Sequence, residues 1–147
     1  MVLVIIGIVL SLAVVRLEPS PDQALQQEGE RLALLLEAAR DEAIARSEPL
    51  AWERQGRRYR FLRHDGGWQE LTGVETLKPR GLPDGLAFGE IKVNQLRQGD
   101  DGKLVFQPSG VNELFQISLV GERSRLDLSA DVLGRISLSK HELHAQN

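Results

Sequence analysis

The residues able to do chemistry fall into three groups. His141-Glu142-Leu143-His144 sets two imidazoles three apart, a spacing that on a helix lets both reach one metal ion. No third ligand follows before the chain ends, so the expectation is a solvated tail and no metal. Asp100-Asp101 could offer carboxylates to calcium, but the oxygen-rich alternation of a calcium loop is missing, and a tight turn between Gly99 and Gly102 is expected instead. The third group is the most distinctive. Arg54, Arg57, Arg58, Arg60 and Arg63 crowd one stretch, with Trp52, Tyr59 and Phe61 interleaved. Arginines can grip phosphates and rings can stack on bases. In a strand, however, Arg58 and Arg60 share one face with Leu62, while Tyr59, Phe61 and Arg63 take the other. That alternation makes the rings core rather than a base platform. A structural or protein-contact role is therefore preferred for Arg57, Arg58 and Arg60, with nucleic acid disfavoured. No glycine-rich phosphate loop, nucleophile elbow or Ser/His/Asp pattern is present, and Ser11 in an apolar run is no nucleophile. Neither an enzyme nor a bound cofactor is expected.

Charge and composition agree with this reading. The 147 residues carry a net charge of −3, unevenly spread. Residues 18–48 hold eight acids and three bases, while 49–147 hold thirteen acids and fourteen bases. A domain so near neutrality lacks the basic footprint of a nucleic-acid binder. Without cysteine, disulfides, thiol catalysis and cysteine-ligated metals are excluded.

The elements that must position these groups fall into three parts. Residues 1–17, MVLVIIGIVLSLAVVRL, form an apolar helix segment a few residues short of the roughly 20 needed to span a bilayer. No basic region precedes it and no small-residue cleavage site follows, so it reads as a retained anchor lacking its own beginning. Leu3, Ile6, Gly7, Leu10, Ser11 and Val14 are its expected membrane or filament contacts, with Gly7 and Ser11 at the small-xxx-small spacing that lets helices approach closely. Residues 18–48 predict an amphipathic helix. Ser20 caps it, Pro21 suits the first position, Gln23 completes a capping box, and Pro49 stops it. Leu25, Leu32, Leu36, Ala39 and Ala43 recur at steps of seven, four, three and four, and this face is expected to pack on a sheet.

Residues 49–147 predict about eight short strands punctuated by glycine and proline, with Lys78–Gly85 and Gly99–Gly102 as exposed loops. One long helix and antiparallel strands make the fold class α+β, with helix and head as one globular domain. The room beyond the apolar segment suits one small core.

Two stretches carry a family resemblance. Val2 to Val9 resembles the middle of the N-terminal helix of type IV pilins and type II secretion pseudopilins. The basic leader, the cleavage glycine, the methylated phenylalanine and the helix glutamate of that family are absent here. In the head, several features resemble the H-type minor pseudopilin of type II secretion. They are Trp68 after a glycine pair, Leu82-Pro83 before Gly85-Leu86-Ala87-Phe88, Phe106-Gln107-Pro108-Ser109-Gly110 before an Ile/Leu strand, and Gly134-Arg135-Ile136.

The resemblance implies a type IV pilin-like fold and a single-pass inner-membrane protein with its C-terminal domain in the periplasm. It implies a place near the tip of a short filament, with other pseudopilins as partners and, through the tip, secreted exoproteins and the outer-membrane channel. The head is also similar to a DNA-binding minor pilin of uptake pili, whose Gly-Arg-x-Arg run is matched here by Gly134-Arg135-Ile136-Ser137, with the second arginine missing. A membrane-tethered periplasmic binding module is the third reading.

Overall fold

The computed structural model describes residues 20–99 and 102–143. Leu3, Ile6, Gly7, Leu10, Ser11 and Val14 lie outside the described residues, as do Asp100, Asp101 and His144. Among the described residues no helix is long and apolar enough to cross a membrane.

Helix α1 spans Pro21–Arg46. Its start is fixed by a reciprocal capping box: the Gln23 N–H donates to Ser20 Oγ at 3.2 Å, and the Ser20 N–H donates to Gln23 Oε1 at 3.1 Å. Two otherwise orphaned donors of the first turn are thereby satisfied. The expected end at residue 48 is two residues too late. Ser47 turns left-handed at φ 55°, and Glu48 N–H bonds back to Ala43 O at 3.2 Å. Pro49 denies its predecessor Glu48 the helical region, so the reversal falls on Ser47. On the exposed side Glu42 and Arg46 pair at 2.6 Å, one turn apart.

Among the described residues ten antiparallel strands follow: β1 (Leu50–Gln55), β2 (Arg58–His64), β3 (Trp68–Glu70), β4 (Arg80–Gly81), β5 (Ala87–Val93), β6 (Leu96–Arg97), β7 (Lys103–Phe106), β8 (Phe115–Val120), β9 (Ser124–Ala130) and β10 (Ile136–Glu142). They form two sheets, ordered β3-β2-β1-β7 with β4 beside β2, and β10-β9-β8-β5-β6. The architecture is α+β, as expected. Two strands exceed the expectation. β4 arises inside the segment read as a surface loop, because Arg58 and Tyr59 pair with Gly81 and Arg80, and Leu82 N–H donates to Arg57 O. β6 follows a two-residue turn in which Asn94 and Gln95 take φ of 50° and 67°. Such a turn usually advertises itself with glycine, which is absent here.

The helix lies across both sheets and runs between two ends of the head. At the basal pole Asp22 accepts from Ser124 Oγ at 3.1 Å and pairs with Lys140 at 3.4 Å. At the distal pole Arg46 and Ser47 turn the chain into β1, and the β7–β8 and β9–β10 connections meet where Asn112 N–H donates to Val132 O. Leu25, Leu32, Leu36, Ala39 and Ala43 are all buried, as are Glu28 and Gly29 between them. At Gly29 a Cβ would fall inside the contact radius of Leu126 Cδ2 and 3.3 Å from Leu126 Cγ, so the helix rides on β9 at a distance only glycine allows.

The sheets are joined by rings. Trp52 of β1 and Tyr59 of β2 meet Phe88 of β5 with centroids 5.6 and 6.0 Å apart, near edge-on, and Phe61 meets Tyr59 at 6.4 Å. Trp52, Tyr59 and Phe61 are essentially inaccessible, which makes this cluster the joint of the head.

Candidate assembly and binding surfaces

The arginine stretch is a working part of the fold. Arg60 Nε donates to Glu53 Oε2 at 2.8 Å, and Lys103 Nζ stands 3.2 Å from Glu53 Oε1. Glu53 is the register partner of both residues, so one carboxylate links β2, β1 and β7 across their outer face. Arg63 pairs with Glu48 at 3.4 Å. Arg57 acts as a strut from the β1–β2 turn, donating to Leu86 O at 3.1 Å and Pro83 O at 2.7 Å. Arg54 donates to Gly89 O at 3.2 Å. Arg58 is exposed, its stem lying along Gly81. The segment Lys78–Gly85 is largely exposed, as expected, but it is pinned by Arg57 and closed by buried Leu82.

Arg135 does not join this group. It sits in the β9–β10 connection at the distal pole, its backbone N–H donating to Asp131 Oδ1 at 3.0 Å. Arg57 lies at the opposite end, beside the loop whose Asp84 and Leu86 line a cleft with Pro21. The structure therefore places Arg57 and Arg135 at opposite ends of the head.

Burial and charge pull two carboxylates in opposite directions. Burial pushes Glu53 up, but the hydrogen bonds from Arg60 and Lys103 outweigh it and hold the carboxyl below its usual range. Burial pushes Glu28 above its usual range, against the opposing pull of Arg31 and Arg80. The stabilisation from Glu53 is present above the ordinary carboxyl value of 4.5 and is lost as pH falls through the lower folded value. For Glu28 the folded state binds the proton more tightly, so stability falls as pH rises from 4.5 through the raised folded value. Glu53→Gln should cost about 1–3 kcal/mol at pH 7, because it leaves charge-assisted partners unpaired. It should also flatten the acid limb of urea unfolding curves. Glu28→Gln should leave stability at pH 7 equal or higher and remove the opposite slope; a large loss from Glu28→Gln would contradict this assignment.

The His141–Glu142 pair, read as a tail, is the end of β10, in register with Arg125 and Ser124. The seven-residue pairing with β9 carries the strand past the point where the sequence turns polar. Here the structure assembles a group the sequence did not indicate. Asp127, 5% exposed, accepts from Ser118 Oγ at 2.7 Å, pairs with Arg125 at 3.2 Å, and lies 3.3 Å from His141 Nε2. Ser139 Oγ meets that same Nε2 at 3.3 Å. A relay needs its nucleophile and its orienting carboxylate on different ring nitrogens. This arrangement puts both on one, so it ties β8, β9 and β10 together and does not activate a hydroxyl. The signal available in the sequence was the alternation of Ser118, Asp127 and Ser139 within apolar strands. Among the described residues no group of three or more His, Asp or Glu side chains could hold a metal ion.

Known proteins give this geometry a context. The fold is similar to the minor pseudopilin EpsH of the Vibrio cholerae type II secretion system in two solved structures. The first has a TM-score of 0.64 at 18% identity, covering 78% of this chain and 94% of that one. The second has a TM-score of 0.65 at 17% identity, covering 82% and 98%. It is also similar to the type IV minor pilin FimU of Pseudomonas aeruginosa, with a TM-score of 0.55 at 18% identity over 78% of this chain and 87% of that one. A sequence search of curated proteins returns no match. The family model described as type II transport protein GspH matches residues 28–134, a span that takes in most of α1 and the first nine strands. That span covers most of the chain, and the H-type resemblance read from its turns agrees with it: the chain belongs to the GspH family of type II transport proteins.

Proposed function

We propose that the chain is a structural, non-catalytic subunit of a type II secretion pseudopilus, assembled with other pseudopilins near the filament tip during export across the outer membrane. The observation that carries this reading is the GspH match over residues 28–134. In this reading residues 1–17 hold the protein in the inner membrane and pack into the filament core through Leu3, Ile6, Gly7, Leu10, Ser11 and Val14. The head then stands in the periplasm. The buried face of α1 is already consumed by the head's own sheets, so partners must use the helix's outer side, the loops and the poles.

The nucleic-acid alternative has less support. Arg60 and Arg63 are matched by carboxylates, and Arg57 is spent on backbone carbonyls. Deleting the gene and restoring the full chain is the direct test. Secreted proteins should accumulate in the periplasm without it and leave the cell with it; secretion unchanged by the deletion would refute the assignment. Alongside, binding to labelled double-stranded DNA should be absent near physiological salt. A steep salt slope that flattens in Arg57→Ala/Arg58→Ala would instead point to an uptake pilus.

A further inference from the structure

The two poles of the head differ in chemistry. Six exposed apolar side chains, Ile44, Leu96, Val111, Leu114, Val132 and Leu133, stand at the distal pole. Elsewhere among the described residues only Leu34 and Leu143 are large, apolar and exposed. The six come from the helix end, the start of β6 and the β7–β8 and β9–β10 connections, which touch one another. A Cβ on Gly110 would lie 3.1 Å from Ile44 Cδ1, Asn112 N–H donates to Val132 O, and Asn94 N–H donates to Leu114 O. Leu114 also lines a groove of about 500 Å³ on the outer face of the second sheet, which gives the surface relief. Scattered single apolar residues need no explanation, whereas a gathered set marks a contact surface.

The basal pole is more charged and holds one such side chain, Leu143, whose N–H donates to Arg123 O. Asp84, Glu122, Arg123 and Glu142 are exposed there, around a cleft lined by Pro21 and Ala24.

We propose that the distal pole is the docking surface for the head of a different pseudopilin of the same filament, one whose facing surface is apolar. This rests on the pseudopilus reading above. A second copy fits poorly in either arrangement. Stacked head to tail, copies would press these six side chains against the charged basal pole, where the distal Arg135 is one cation facing three exposed carboxylates, Asp84, Glu122 and Glu142, so that most of those charges lose water without gaining a partner. Paired distal pole to distal pole about a two-fold axis, they would be complementary, but the two apolar segments preceding Ser20 would leave from opposite ends of the dimer. A single membrane could not hold both. The remaining occupant is a non-identical subunit that lies beyond this one along the filament, and the apolar pole then limits the chain to one copy per stack.

The experiment places a photo-crosslinking amino acid at Leu133, or at Leu34 on the outer side of α1, in the full chain. Each version is produced in cells together with each other pseudopilin of its system in turn, each carrying a tag. From Leu133 the expected product joins this chain to one different pseudopilin, and Val132→Asp should reduce it at least tenfold without lowering the amount of folded chain. Homodimers from Leu133, or an undiminished product with Val132→Asp, would overturn the proposal. Crosslinks to pseudopilins from Leu34 but none from Leu133 would overturn it while leaving the pseudopilus reading intact. No crosslink from either position to any pseudopilin would sink both.

Discussion

Gly29→Leu is expected to cost about 3 kcal/mol or more, near or above the upper range for forcing atoms into a packed core. The site is the middle of α1, where backbone meets the fully buried Leu126 and even a Cβ lacks space. Alanine separates the opposing effects. It gains about 1 kcal/mol of helix propensity over glycine, against an overpacking cost of about 1–3 kcal/mol, so Gly29→Ala should come out neutral to mildly destabilising. The double-mutant cycle is the decisive measurement. Leu126→Ala alone should cost about 2–5 kcal/mol through the cavity it opens. Combined with Gly29→Leu it should recover about 0.5–3 kcal/mol relative to the sum of the singles, because the new side chain fills the space vacated. Strict additivity in urea unfolding would show that Gly29 and Leu126 do not meet as described.

Trp52→Ala should cost about 3–5 kcal/mol, a large share of the roughly 5–15 kcal/mol that holds a domain of this size. Trp52 is where the two sheets touch, and its removal takes away the Tyr59 and Phe88 contacts together. Trp52→Phe should be far milder. The Trp52 Nε1–H is buried without a hydrogen-bond partner, so phenylalanine gives up area but also a donor that was costing free energy. The half-buried Trp68 remains as a fluorescent reporter in both variants. Equal losses for Ala and Phe would mean that the ring's area is not what joins the sheets. Tyr59 shares this dry setting: burial, with Glu28 adding to it, pushes its hydroxyl up to about 12.

What the sequence disclosed follows from the range of the interactions that write it. The α1 start is local, since Ser20, Pro21 and Gln23 settle it among themselves, and its chemistry is visible in four letters. The strands Leu104–Phe106 and Phe115–Leu119 are likewise announced by alternation and flanking turns. The helix end was misplaced by two residues because proline sets the limit but not the reversal itself. β4 was invisible because two residues become a strand only when Arg58 and Tyr59 supply the partner. The same holds for the arginines. Their crowding is plain in the sequence, but their meaning depends on Glu53, Leu86 and Gly89, which the fold brings from other strands and loops. Asp127 shows the converse: alternation places a polar residue among apolar ones, but apart from Arg125 its partners lie nine positions upstream and fourteen downstream on neighbouring strands, where only the fold brings them together.

The way α1 is tied at its N-terminal end has a mechanical consequence. Asp22 grips Ser124 at the start of β9 and Lys140 near the end of β10, strands that run between the poles alongside the helix. A tug or thrust delivered through the residues before Ser20 therefore enters the sheet along its strands. Both grips fall at the same pole, Ser124 opposite Glu142 in the ladder, so such a load draws β9 and β10 the same way along their length and does not pry apart the hydrogen bonds that lie across them. Peeling β10 away from its free edge would instead open that ladder one rung at a time.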